Sequence, residues 1–187
     1  MKKLPENFSL ERYDLKVRLV NENDAEFILS LRANPNRTKH MITLEDEIDS
    51  QKKWIQEYKK REKEGLDFYL IYYNIEDKAI GLNRISHVDY KEKTAKASSW
   101  IAVEGLINEA FKMSIIQSEI AFNFLKVDTI QCDVHKNNSN VIKLFKLFDY
   151  KFKDDGTEYY HFSIIKKDFL KSYDNRLTKL FLQNLQE

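Results

Sequence analysis

A single glycine, Gly105, stands between a strand-like run, Ser98-Ser99-Trp100-Ile101-Ala102-Val103, and a long amphipathic segment that begins at Asn108. The start of a helix carries unpaired backbone N–H groups and the positive end of the helix dipole, so this junction is a place where an anion can rest. Four histidines, His40, His87, His135 and His161, supply side chains that titrate near neutrality and serve as general bases. They lie far apart, with no His-x-x-x-His pair and no cysteine pair, so no metal site is expected. His87 and His135 each end a strand-like run and are the candidate catalytic bases. The competing readings are structural: a surface hydrogen bond for His87, and a turn-positioning role for His135. Cys132 is the only cysteine and falls mid-strand, where an inert buried thiol is expected rather than a nucleophile. Trp54 and Trp100 read as core or pocket wall, and Lys59-Lys60-Arg61 as a solvated helix face.

The elements that must position these residues follow from periodicity and turn chemistry. Residues 1–13 read as an irregular lead-in and 15–20 as a strand. Asn21 to Asp24 cap a helix over 24–32, which Asn34-Pro35-Asn36 ends. A second helix over 46–64 has Ile48, Trp54, Ile55 and Tyr58 as its stripe and Gly65 as its C-cap. Strands follow over 68–73, 79–88 and 98–103, with turns at 76–78 and 90–93. The central helix spans 108–125, with Phe111, Met113, Ile116, Ile120 and Phe124 facing inward. A strand over 129–135, a helix over 141–148 and an Asp-Gly hairpin over 150–166 complete the core. A helix over 168–186, with Phe169, Leu177, Leu180, Phe181 and Leu185, closes the chain. This order makes a mixed α/β domain with antiparallel meander strands and one parallel strand–helix–strand crossover from 98 to 135.

The 187 residues fit one domain, with a core over 14–166 and an added C-terminal helix over 167–187. Thirty-one basic and 30 acidic side chains nearly cancel, which gives no support for a nucleic-acid groove or a membrane-binding face. No apolar run reaches the ~20 residues that span a bilayer. Met1-Lys2-Lys3 leads into no apolar signal core, and one cysteine suits a reducing compartment, so a cytoplasmic location is expected. With 4 Gly and no GxxxxGK[ST] or GxGxxG run, a glycine-rich phosphate loop is excluded.

This order of elements, with Gly105-Leu106-Ile107-Asn108-Glu109-Ala110 opening the central helix, resembles the GNAT superfamily of N-acyltransferases. Asn138-Ser139-Asn140-Val141-Ile142-Lys143-Leu144-Phe145 through Tyr150 resembles that family's second signature. The resemblance covers roughly residues 15–166 and implies a mostly antiparallel, splayed sheet flanked by helices. It implies acetyl-CoA as acyl donor, lying in the gap between strands 98–103 and 129–135. Pantetheine would pair with the edge at Ile101, Ala102 and Val103, and the pyrophosphate would rest on Gly105, Leu106, Ile107, Asn108, Glu109 and Ala110. A backbone N–H near Ile101 to Val103 would hold the oxyanion. Asn138 matches a pantetheine-binding residue, and N-capping of the 141–148 helix is its equal alternative. Phe145 stands where many members carry a tyrosine thought to protonate the thiolate. Ala102 replaces a Gln or Arg of the family motif. Ile107 replaces a small residue and is expected to narrow the approach to the phosphates. Asp149-Tyr150 replace a Gly-Phe pair.

Leu31-Arg32-Ala33-Asn34-Pro35-Asn36 through His40-Met41, with Trp54 beyond, resembles the branch that acylates amino groups on nucleotide-linked sugars. Ribosomal-protein N-terminal acetyltransferases share much of this pattern. Arg32, His40, Trp54 and Arg84 are the substrate-binding candidates. The resemblance thus implies acetyl transfer to a primary amine on a small molecule, a nucleotide-linked aminosugar, with a protein N-terminus as the alternative acceptor. A non-catalytic CoA- or ligand-binding module on the same scaffold is the alternative of another class. The C-terminal stripe packs either on its own domain or on a second subunit, as in a homodimer.

Overall fold

The computed structural model describes residues 3–33, 47–146 and 150–173. Eight strands form one sheet: β1 (Ser9–Arg12), β2 (Leu15–Leu19), β3 (Phe68–Tyr73), β4 (Ala79–Asp89), β5 (Thr94–Ala102), β6 (Thr129–His135), β7 (Lys153–Asp154) and β8 (Tyr159–Ile165). Their spatial order is β1-β2-β3-β4-β5-β6-β8-β7, and among these described strands only the β5–β6 pair is parallel. Among the described residues five α-helices accompany them: α1 (Ala25–Arg32), α2 (Ile48–Glu64), α3 (Ile107–Glu119), α4 (Ser139–Lys146) and α5 (Lys166–Tyr173).

Each face of the sheet buries its own apolar set. Tyr69, Ile71, Leu82 and Ile101 meet Val20, Ile28, Leu31, Ile55 and Tyr58 under α1 and α2. Phe68, Leu70, Tyr72, Ile85, Ile130, Cys132 and Phe162 meet Phe111, Met113, Ile116 and Phe122 of the α3 segment on the other. Alternation along β3 and β4 divides these sets, because successive side chains point to opposite faces. Gly81 permits the close approach of α3: a Cβ there would stand 2.7 Å from Met113 Cε and 2.8 Å from Ile101 O.

Three expectations are corrected. The lead-in holds a strand, β1, whose side chains are mostly exposed and so show no apolar alternation. Its hairpin to β2 turns through Tyr13 and Asp14, with φ of 54° and 59°, in place of the usual Asn-Gly signal. The strand before Gly105 begins at Thr94, four residues earlier than its apolar run. The central helix changes phase at its end: residues 120–124 form a wider turn, in which Leu125 N–H donates to Ile120 O at 3.1 Å. Phe122 is therefore buried while Phe124 is 42% exposed. Of the closing helix, residues 166–173 are described. Phe169 packs on Phe122 with ring centres 5.3 Å apart, and the rest of the expected stripe lies outside the described residues.

Candidate active site

β5 and β6 part after Ala97 and Cys132, their last paired residues. Among the described residues only β4 pairs with β5 from Ser98 to Ala102, so one edge of β5 faces an opening. Val103 N–H donates to Ile80 O at 2.8 Å, on the β4 side. An antiparallel ladder sends the amides of alternate residues to opposite edges, so Ile101 shares the β4 side. The amides of Ala102 and Trp100 face the opening. The expected run of donors from Ile101 to Val103 thus narrows to Ala102, and Trp100 joins it.

β5 carries an extra residue at this point. Leu82 faces Ile101 and Arg84 faces Ser98, two steps on β4 against three on β5. Ser99 absorbs it with φ of 51°, a left-handed conformation costing a non-glycine residue roughly 1–3 kcal/mol. Such a bulge bends its strand and re-aims the neighbouring groups. Asn83, fully buried opposite the bulge, accepts from Tyr72 Oη at 3.0 Å and donates to Met113 O at 3.3 Å. Gln117 Nε2 donates to Arg84 O at 3.0 Å, so α3 braces the same stretch from behind.

At the start of α3, Gly105 has φ of +84° and nothing within 4 Å of where a Cβ would stand. No side chain caps this helix, and Ala110 N–H makes the internal bond to Leu106 O at 2.9 Å. The uncapped amides are those of Ile107, Asn108 and Glu109, whereas Ala110 turns into the core. The Ile107 side chain is 70% exposed, so it projects into solvent and does not pack against the turn, contrary to the narrowing expected of it.

On the face beneath α1 and α2, Tyr69, Arg84 and Ser98 form one row across β3, β4 and β5. Trp54 of α2 covers it: its ring centre lies 5.6 Å from the Arg84 guanidinium carbon and 5.7 Å from the Tyr69 ring. Arg84 Nε donates to Asp67 Oδ1 at 2.6 Å and Arg61 Nε to Asp67 Oδ2 at 3.0 Å. Two guanidiniums on one buried carboxylate leave this corner positive. Burial pushes the Tyr69 hydroxyl up, and the positive charge of Arg32 and then of Arg84 acts against that rise. The Arg32 guanidinium stands beside the Tyr69 hydroxyl, just outside strict hydrogen-bonding geometry. Among the described residues, the buried Tyr69 hydroxyl, Arg32 Nε and Trp100 indole N–H have no hydrogen-bond partner. Buried donors left unpaired are rare in native folds and leave room here for an acceptor, whether water or a ligand.

His87 falls in a second irregularity, this time with the extra residue on β4, between the pairs Ser86–Lys96 and Asp89–Thr94. It is exposed, with φ of 51°. Its Nδ1 lies 3.1 Å from Ser86 Oγ, which is 3.3 Å from Ser98 Oγ. His135 sits at the far end of β6, beside the opening. Its Nδ1 accepts from Asn137 N–H at 3.1 Å, and its ring meets Tyr159 edge-on at 5.3 Å. The register of β4, β5 and β6 keeps the two histidines at opposite ends of β5, so they do not converge. His40 lies outside the described residues.

The model of the family described as an acetyltransferase (GNAT) domain matches residues 17–163. The chain belongs to the GNAT acetyltransferase family. No curated protein matches it. Among solved structures, the chain is similar to apo FdhC, described as a nucleotide-linked sugar GNAT. The identity is 27% and the TM-score 0.78, over 89% of this chain and 95% of that one. It is also similar to spermidine N-acetyltransferase from Vibrio cholerae in complex with CoA and spermine, at 16% identity and TM-score 0.74, over 85% and 99% of the two chains. Ribosomal-protein-S5-alanine acetyltransferase from Vibrio fischeri is 16% identical, with TM-score 0.67 over 87% and 99%. The last two likenesses bear on the fold alone.

In this GNAT chain the segment that resembles the second signature forms a helix and its cap. Asn138 Oδ1 accepts from Val141 N–H at 3.3 Å and so caps α4, leaving the side-chain amide as a donor. Phe145 packs in an aromatic cluster, 4.7 Å from Phe162 and 5.9 Å from Tyr150 between ring centres. Asp149 lies outside the described residues. Sequence reasoning missed Tyr69, Asp67 and the two serines. Nothing local singled out the first, since β3 carries three tyrosines, Tyr69, Tyr72 and Tyr73. The serines carried no signal either, because only strand register brings them together. Among the described residues no group of three or more His, Cys, Asp and Glu side chains could hold a metal ion.

Proposed function

We propose that this GNAT acetyltransferase moves an acetyl group from acetyl-CoA to a primary amine on a nucleotide-linked sugar. The observation that carries the acceptor is the pair of buried, unpartnered donors, the Tyr69 hydroxyl and Arg32 Nε, beside the Asp67-bridged arginines. Unpaired donors in a positive corner suit an acceptor-rich, anionic group such as a diphosphate or a sugar hydroxyl. They disfavour a polyamine, whose like charge is repelled there. The 27% identity to a nucleotide-linked sugar GNAT supports the same reading.

The donor side fits acetyl-CoA. The Ala102 and Trp100 amides offer an edge to pantetheine and to the developing oxyanion, and Asn138 retains a free amide donor. The amides of Ile107 to Glu109, after Gly105, offer a berth for the pyrophosphate. Arg32, Trp54 and Arg84 orient the acceptor, so its amine attacks the thioester carbon from the α1/α2 face.

The test is thiol release from acetyl-CoA with nucleotide-linked amino sugars, peptide N-termini and spermidine offered in parallel. Nucleotide-linked amino sugars should give the highest kcat/KM, and Tyr69→Phe and Arg32→Gln should raise KM for the sugar far more than they lower kcat. A higher kcat/KM for peptide N-termini or spermidine would end this reading.

A further inference from the structure

We infer that Ser86 and Ser98 connect the site to His87 as a proton relay, so that the base acts at a distance from the amine. Three atoms define it: Ser98 Oγ, Ser86 Oγ 3.3 Å away, and His87 Nδ1 a further 3.1 Å on. Ser98 is the first β5 residue beyond the last β5–β6 pair, and the bulge residue Ser99 follows it. One end of the chain therefore stands at the root of the opening. Ser86, 2% exposed, sits in the middle, and the exposed His87 ring ends the chain in solvent. The left-handed turn at His87 has a role in this arrangement. In a regular strand residue 87 would point to the face opposite Ser86, whereas the extra residue of β4 lets Nδ1 return to the neighbouring serine.

The inference rests on the acetyl-transfer reading, and its proton balance closes. The ammonium form of the acceptor gives one proton to Ser98 Oγ as Ser98 passes its own to Ser86 and Ser86 passes its own to His87 Nδ1. His87, now an imidazolium, releases a proton to water and is reset. The neutral amine then attacks the thioester carbon: the N–C bond forms while the carbonyl π pair moves to oxygen. That pair returns as the C–S bond breaks and its electrons leave on sulfur. The second nitrogen proton ends on the thiolate. Lys96 O is the competing acceptor for Ser86, at 3.4 Å. The charged groups around the relay are Asp67 with Arg61 and Arg84 towards β3, Lys96 on β5 and Asp89 along β4. None of them hydrogen-bonds the imidazole.

The experiment compares pH profiles of kcat/KM for the wild type, Ser86→Ala, Ser98→Ala, His87→Gln and the Ser86→Ala/His87→Gln double variant, using the amine the wild type turns over best. His87 is titrated in parallel by imidazole NMR on each full-length protein. Each single variant should lose on the order of 100-fold in kcat/KM together with the acid limb of the profile. The double variant should be no slower than the worse single, and Ser86→Thr should restore most of the rate. Wild-type profiles in Ser86→Ala, or losses that multiply in the double variant, would overturn the relay. So would a His87 titration indifferent to both serine substitutions, since the two hydroxyls would then not be coupled to the ring. If no amine is acetylated while that titration still responds, the acceptor reading fails and the relay's connectivity stands.

Discussion

Asn83 donates its side-chain amide to the carbonyl of Met113 at 3.3 Å, from the β4 position that faces the extra residue of β5. Tyr72 Oη reaches the same carbonyl, also at 3.3 Å. The two side chains thus share one acceptor in the core between α3 and the bulge. Asn83→Ala should destabilise the fold by about 2 kcal/mol and Tyr72→Phe by about 1 kcal/mol. Because they share Met113 O, the double variant should cost less than the sum. Urea midpoints at constant m-value measure this, and strict additivity would show the network to be two separate bonds.

Gly81 tests how closely α3 lies on the sheet. Gly81→Ala should cost about 1–3 kcal/mol through overpacking. Met113→Ala in the same chain should not restore the loss, since the contact with Ile101 O is with backbone and remains. Thermal unfolding of the single and double variants decides it. A full rescue would place the whole clash on the methionine.

Gly105 differs in kind. A side chain there meets nothing, so any penalty comes from φ alone. Gly105→Val should weaken acetyl-CoA binding at least tenfold, with Tm lowered by only a few degrees, since the left-handed strain is about 1–2 kcal/mol. Gly105→Asn, which tolerates the left-handed region, should stay within about threefold of the wild type. Calorimetric titration with acetyl-CoA reads both. Equal affinity in all three proteins would make the turn a structural device only.

Burial pushes the Cys132 thiol up, with the Asp133 carboxylate adding to the rise. At neutral pH the native protein should therefore resist an aromatic disulfide reagent and react with one equivalent only in denaturant. Rapid labelling of the folded chain would show an opening of β6 that this packing does not allow.

Burial raises the Asp133 carboxyl, but its bonds to Lys96 and His161 outweigh that and hold it below the usual carboxylate range. A carboxyl depressed in the folded state contributes stability above its unfolded pKa of about 3.9. That contribution is lost as pH falls through the folded value. Asp133→Asn should thus lower stability at pH 7 and flatten its fall below about pH 4. Parallel Tm–pH curves for variant and wild type would count against this ion pair.

Several features could be read directly because their signals are local. Strand 68–73 and strand 129–135 appear with the predicted ends, since an aromatic-aliphatic run in the first and an apolar–polar alternation in the second each stop at turn residues. Gly65 ends α2 in a left-handed cap, with φ of 81°. The strand–Gly105–helix step and the crossover that makes β5 and β6 parallel are legible in the order of elements, and with the Asn138–Tyr150 segment they carry the resemblance to the family. Arg32, Trp54 and Arg84 were picked out singly, from three separate elements.

Their meeting around Tyr69 was decided by the tertiary structure, because strand register and the seat of α1 and α2 on the sheet determine which side chains share a face. The same holds for both bulges. An extra residue in a strand is defined only against its partner, so nothing in Ser98-Ser99-Trp100 or Ser86-His87-Val88 by itself announces one. Register also fixed the point at which β5 and β6 part. It left Ala102 and Trp100 with outward amides while committing Val103 to Ile80. In this chain local sequence chose the elements, and long-range pairing and packing chose which backbone groups and side chains stand free for chemistry.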